Sequence, residues 1–426
     1  MTPHDVSSDD GEFRRGWRVI LAASIGNGLG AGTMGFFTLG VFGPAIGREF
    51  HWGSAQISGG LLINTLVVML AVPSAGLLAD RFGVRRVVLA STLLVVPAFA
   101  SFAFLDDSIV HYYLCWALIG LLGAGTFAPT WSRAINSRFQ IHKGLALGIT
   151  LCGTGVSAAL LKPFAFMMLA RWGWRVGYVA LGCLSLVSFV TAWVLVFDAR
   201  GNADVPEQAV VTGESQGSSL AMAVRQWRFW VVALAVGAAA LAVGGPIPSI
   251  ESILRELHFS REQIISLASL VGLSIIAGRL ASSYLIDRFW APLVALVMNV
   301  AGAAAFVALC LGKGSLAVTA LCLVFMGAVT GSEYDLAPFL VARYLGSRHY
   351  AAVYGALYGI FSICTGLGAV LFGAAHDRLG LYSNVLPIFS AVLLASGLSL
   401  LTLGPYVFPL ARTPRAVCPG TGSDAA

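Results

Sequence analysis

Charge is what this sequence has least of. Asp, Glu, Lys and Arg make up only 11% of its 426 residues, where a soluble domain carries about 25%. With 58% hydrophobic residues, one globular core cannot hide the apolar surface, so the solvent must be lipid. Lipid leaves helices or a closed barrel as the ways to satisfy every backbone polar group, and the apolar runs far exceed the roughly 9–11 residues of a barrel strand. Helices remain. The seven cysteines show no C-x-x-C spacing and stand singly, mostly in apolar runs, as small packing residues do. His51, His111 and His258 fall in loops and His4 in the tail, so no histidine pair suggests a metal. The glycine-rich phosphate loop of an ATP-driven pump is missing, as is any nucleophile and base pairing. An enzyme, a cofactor and a metal site are therefore not expected. The net charge of +6 comes from basic residues scattered at the ends of apolar runs, which argues against nucleic acid.

Glycine and proline, 49 and 16 residues, are present in quantity. Small residues let membrane helices approach closely, so both are at home there. Hydrocarbon about 30 Å thick takes about 20 apolar residues per helix. Twelve such stretches follow one another, at about 18–43, 55–78, 86–105, 110–132, 144–169 and 176–197, then 229–250, 263–286, 291–312, 316–342, 349–374 and 383–405. Between the sixth and seventh, 198–228 holds Gly201, Asn202, Pro206 and a Gln-Gly-Ser-Ser run, the composition of a linker. The expected organisation is a tail (1–17), a six-helix bundle (18–197), the linker, a second six-helix bundle (229–405) and a tail (406–426). Arg14, Arg15 and Arg18 ahead of the first run imitate a secretory signal, but Val19–Val41 is too long for one, and the span is read as uncleaved. With the N-terminus inside, seventeen of the 26 Lys and Arg fall on its side and seven on the other. The positive-inside rule then puts both termini and the linker in the cytoplasm of a multi-pass protein of the cell (inner) membrane.

The halves repeat. Asp80-Arg81 recurs as Asp287-Arg288, and Arg171-x-Gly173 as Arg378-x-Gly380, each 207 residues on; Ala128-Pro129 recurs as Ala337-Pro338 at 209, and Arg133 as Arg343 at 210. The first pair lies in GLLADRFGVRR, Gly76 to Arg86, which resembles the signature loop between helices 2 and 3 of the major facilitator superfamily. The resemblance implies two parallel six-helix repeats with substrate bound near the midplane between them. It also implies that Asp80, Arg81 and Arg133, with Asp287, Arg288 and Arg343 in the second half, tie neighbouring helix ends and part when the carrier changes state.

Four ionisable residues fall inside spans, where each costs at least about 2.5 to 3.5 kcal/mol unless it has a partner or a function. They are Lys162, Arg279, Glu333 and Asp335. Arg279, eight residues before Asp287, stands about 12 Å from the helix end on a small-residue stripe with Ala268, Gly272, Ile275 and Ser283. Its planar fork fits a carboxylate bidentately; an ion pair with Glu333 or Asp335 is the structural alternative. Lys162 continues the stripe Gly148, Cys152, Gly155, Ala159, and either faces protein and cavity or snorkels to the outer interface. Glu333 and Asp335, two apart, lie on different faces, so one can meet Arg279, and either is a candidate proton carrier. Tyr354, Tyr358 and Ser362 share a helix face, and Asn27 sits among Gly26, Gly28 and Gly30. These are candidates to hydrogen-bond a substrate, with interface tyrosines and interhelical packing as the alternatives.

Gly278-Arg279-Leu280 followed by Leu285-Ile286-Asp287-Arg288, then Gly331-Ser-Glu333-Tyr-Asp335 and Ala342-Arg343-Tyr344-Leu345-Gly346, resemble the monocarboxylate transporter and oxalate/formate exchanger branch. The resemblance implies that Arg279 binds the substrate carboxylate. The exchangers carry a second cation, a lysine in helix 11, whereas this chain has no Lys or Arg between His349 and Ala374. Lys162 stands instead in the fifth span, the repeat counterpart of the eleventh. The reading is a monomeric secondary carrier of a small organic anion, a monocarboxylate with a proton. The alternatives are a proton-coupled efflux carrier for an amphiphile, an organic anion exchanger, and a transporter-like sensor.

Overall fold

A computed structural model of the chain describes residues 10–136, 139, 143–195, 220–312, 314–346 and 350–407. Most of the expected linker, 198–219, and the ends 1–9 and 408–426 lie outside the described residues. The first half holds α1 (Asp10–Gly28), α2 (Ala31–Phe50), α3 (Ser54–Phe82), α4 (Val84–Ala100), α5 (Ile109–Leu122), α6 (Ala128–Asn136) and α7 (Lys143–Leu195). The second holds α8 (Leu220–Arg225), α9 (Trp227–Gly244), α10 (Ile250–Glu256), α11 (Arg261–Arg288), α12 (Ala291–Leu311), α13 (Leu316–Tyr344), α14 (Tyr350–Leu379) and α15 (Tyr382–Leu401). Ten helical runs among the described residues are long and apolar enough to cross a membrane, and α5 is a shorter apolar helix. One of those runs is α7, which turns at Gly173 (φ 80°, ψ 174°) and so passes twice. The result is an all-α membrane fold of about twelve passes. Its burial is inverted relative to a soluble protein: Leu70, Leu77 and Leu311 are more than two-thirds exposed, while Lys162 and Glu251 are fully enclosed.

Two spans of the first half that were expected to be continuous are broken. The first runs from Asp10, earlier than the expected 18, and parts between Gly28 and Ala31; the fourth parts between α5 and α6. The breaks face each other, and that contact is what satisfies them. The Ala31 N–H donates to Thr126 Oγ1 at 3.1 Å, and the Gly125 N–H donates to Ser91 Oγ at 3.2 Å. Hydroxyls thus stand in for missing helical carbonyls where no water competes. The sequence correlate is Asn27-Gly28-Leu29-Gly30 opposite Gly123-Ala124-Gly125 and Pro129.

Helices begin at matching places in the two halves. Ser54 and Arg261, Val84 and Ala291, Ile109 and Leu316, and Lys143 and Tyr350 open α3 and α11, α4 and α12, α5 and α13, α7 and α14, each pair 207 apart. The halves meet through two of these matched sets, α3 against α14 and the first limb of α7 against α11. Both contacts are tight at one end only. A Cβ on Gly373 would lie 2.7 Å from the Ser54 carbonyl carbon, one on Gly366 2.9 Å from Leu62 Cα, one on Gly359 only 3.9 Å from the Met69 side chain, and one on Gly355 would meet nothing within 4 Å. On α7, a Cβ at Gly155 would lie 2.8 Å from the Gly272 carbonyl oxygen, whereas one at Gly148 meets nothing within 4 Å. The halves are closed at the end bearing Ser54, Arg261 and Asp377 and splayed at the end where α7 and α14 begin.

Candidate functional site

Arg279 is set by the packing of α11 on α13. Gly327 and Gly331 form a G-x-x-x-G pair that lets the backbones touch: a Cβ on Gly327 would lie 2.7 Å from the Val271 carbonyl oxygen, and one on Gly331 3.0 Å from the Arg279 nitrogen. A Cβ on Gly278 would overlap the Ala328 backbone. Such a crossing needs glycine on both sides. Arg279 follows directly and is 3% exposed, a guanidinium held well inside the membrane-spanning bundle.

Glu333, Tyr354 and Tyr358 are brought together. With Ala337, Leu357 and Phe361 they line a small cleft between α13 and α14, with room for about one water. The Glu333 carboxyl is buried, and its Oε1 has no hydrogen-bond partner among the described residues. The two tyrosine rings stand 6.3 Å apart and line this cleft, not a lipid interface. The Ser362 hydroxyl donates to the Tyr358 carbonyl at 2.9 Å. Asp335 lies in α13, but its side chain is outside the described residues.

Lys162 is enclosed in the bundle and does not snorkel. Its Nζ sits 2.5 Å from Glu251 Oε1, with both side chains enclosed. The sequence reading ended the seventh span at residue 250 and so missed Glu251 among the intramembrane charges. The available signal was helical spacing: Glu251 shares a face with Ile247 and Leu254, both 0% exposed. Missed too was Asp377 at the end of α14, whose carboxylate accepts from the Ser54 and Ala55 N–H groups at 3.1 and 3.0 Å. It caps α3 from the other half, with the charge at the helix end where the dipole favours it. Beside these, Arg261 Nη2 donates to the Phe166 carbonyl at 2.8 Å.

Asn27 is buried beside the break after α1, where its Nδ2 has no hydrogen-bond partner among the described residues and its backbone carbonyl accepts from the Thr33 hydroxyl at 2.9 Å. At the splayed end, the side chains of Asp80, Arg133 and Asp287 lie outside the described residues. Arg81 and Arg288 are exposed, with their guanidinium carbons 5.5 Å and 4.2 Å from the Phe82 and Tyr284 ring centres. Arg343 sits 5.0 and 4.9 Å from the rings of Phe339 and Tyr406. Each of these described arginines rests on a ring of its own half.

The family model described as Major Facilitator Superfamily matches residues 26–356 and 232–423. The chain is similar to bovine (Bos taurus) monocarboxylate transporter 13, 30% identical over 413 residues that make up 92% of this chain and 90% of the relative. It is 27% identical to human (Homo sapiens) monocarboxylate transporter 11, across 96% of this chain and 85% of that one. Among solved structures, a bacterial homolog of the human lysosomal transporter Spinster, in an inward-facing and unoccupied conformation, superposes with a TM-score of 0.65. The two share 17% identity over 93% of this chain and 96% of that one, a likeness of fold.

Proposed function

The chain belongs to the major facilitator superfamily, whose members are secondary transporters of small solutes and not enzymes, and from that premise we propose that it carries a small monocarboxylate together with a proton. The observation that carries the reading is Arg279, a guanidinium 3% exposed at a glycine-lined helix crossing. A buried planar fork of this kind can bind a carboxylate through two parallel hydrogen bonds. Glu333, in a cleft with two phenols, is the candidate proton carrier. In this conformation Lys162 is paired with Glu251, which supports a substrate with one carboxylate over one with two. The names of the relatives agree with a monocarboxylate.

The 207-residue offset of the helix starts supports two six-helix repeats, with 18–197 and 229–405 as the bundles, 198–228 as linker and both ends as tails. With the basic residues inside, the splayed end opens to the cytoplasm. Both termini are then cytoplasmic and the protein works as a monomer by alternating access.

Counterflow in proteoliposomes tests the reading. Internal lactate, pyruvate or acetate should drive uptake of a labelled monocarboxylate, and oxalate should not. If neutral or cationic amphiphiles exchange and no carboxylate does, the carboxylate reading fails and the efflux reading replaces it.

A further inference from the structure

We propose that the Lys162–Glu251 pair is a latch between the two halves, one that holds the Ser54/Asp377 end shut and must be broken in every transport cycle. The inference needs only that the halves move apart at this end, so it stands whatever the substrate is.

Lys162 belongs to the first limb of α7 and Glu251 to α10, so the 2.5 Å ion pair crosses from one half to the other. Both side chains are sealed, at 1% and 0% exposure. The lid over them is Gly40 of α2, where any Cβ would overlap Glu251 Oε2 and the Pro248 carbonyl oxygen. Glycine is what lets α2 lie this close to a charged group. The surroundings contribute to the same closure: Arg255, half-buried near Glu251, lies 6.0 Å from the Phe166 ring, and Arg261 donates to the Phe166 carbonyl. Asp377 caps α3 on the opposite side of the same end.

Two opposite charges in contact and out of water are stable as a pair, but either one alone is costly to keep buried. Slight separation of the halves loses the attraction before water can reach the ions. Full separation wets both. The pair therefore disfavours partly open states and makes closure at this end close to two-state. It also predicts an unusual mutational pattern. Neutralising one partner leaves the other as an unpaired buried charge, which the open, wet state relieves. Replacing both with apolar side chains removes that penalty and allows closure again.

The test measures distances by pulsed electron paramagnetic resonance in a cysteine-free background. Spin labels at Val110 and Leu381, exposed positions on the two halves at this end, report opening, and labels at Leu145 and Leu293 report the opposite end. Lys162→Met and Glu251→Gln should each raise the ratio of long to short Val110–Leu381 distances at least about tenfold, with the Leu145–Leu293 distance shortening. Lys162→Met combined with Glu251→Leu, and the exchange Lys162→Glu with Glu251→Lys, should return that ratio toward the parent. Parent-like distances in both single variants would overturn the latch, as would a double apolar variant as open as the singles. Where the single variants fail to insert, the double apolar variant must insert and show the closed distances; its failure too would mean that the charges serve some other need.

Discussion

At the scale of single residues, three charges within the spans have different surroundings. Arg279 is held by backbone contact between two helices, Lys162 by an opposite charge, and Glu333 by a cleft in which one carboxyl oxygen has no described partner. Arg279→Lys keeps the charge and loses the planar fork. Uptake of labelled monocarboxylate should fall at least about tenfold, the equivalent of about 1.4 kcal/mol, while the protein still inserts; near-normal uptake would mean that Arg279 is no bidentate clamp. Glu333→Gln should abolish accumulation driven by a pH gradient yet spare exchange of substrate for substrate, because exchange proceeds with the site fixed in a protonated-like form. Asp335→Asn, measured beside it, decides which carboxylate carries the proton. Loss of both activities together in Glu333→Gln would instead mark a structural group.

Among the elements, helix breaks and glycine crossings do the positioning. The break between α1 and α2 is tolerated because Thr126 and Ser91 supply hydroxyls to the freed backbone of facing segments. The α3–α14 and α7–α11 contacts show where motion is possible. Gly355 faces open space here, but rocking toward the other state would bring it against α3 as Gly366 is now against Leu62. Gly355→Leu should therefore leave folding intact, with a gain of up to about 1 kcal/mol in helix propensity, and reduce turnover severalfold by blocking that state. Gly366→Leu meets the Leu62 backbone already and should open the tight end in the labelled-distance experiment. Equal turnover of Gly355→Leu and the parent would rule out closure along this face.

For the whole molecule, the closed end holds by Lys162–Glu251, the Asp377 cap and Arg261 on Phe166, while the signature loops sit at the splayed end. If Asp80 ties helix ends in the other state only, Asp80→Asn should weaken that state and slow flux, with substrate binding still measurable by thermal shift. Asp287→Asn should act in the same direction and more weakly, because its loop lacks the glycine and the second basic pair of GLLADRFGVRR. Unchanged flux in Asp80→Asn would count against a gate here.

Low charge and long apolar runs determined the membrane, the helices and the number of passes, because the cost of unsatisfied polar groups in lipid acts on each segment alone. The recurrence of Asp-Arg and Arg-x-Gly pairs at one offset is likewise a property of the string, and the helix starts follow it. Arg279 and Glu333 were legible because an ionisable residue inside an apolar run stands out whatever surrounds it. Pairing was not legible. Lys162 stood out equally, but its partner lay 89 residues on, past the residue where the apolar run was taken to end. Only the packing of α10 under Gly40 brought the two together. The breaks after Gly28 and Gly123 depended in the same way on hydroxyls from facing segments. Which charges meet, and at which end the halves close, is decided by contacts between distant segments, and those exist only once the chain has folded.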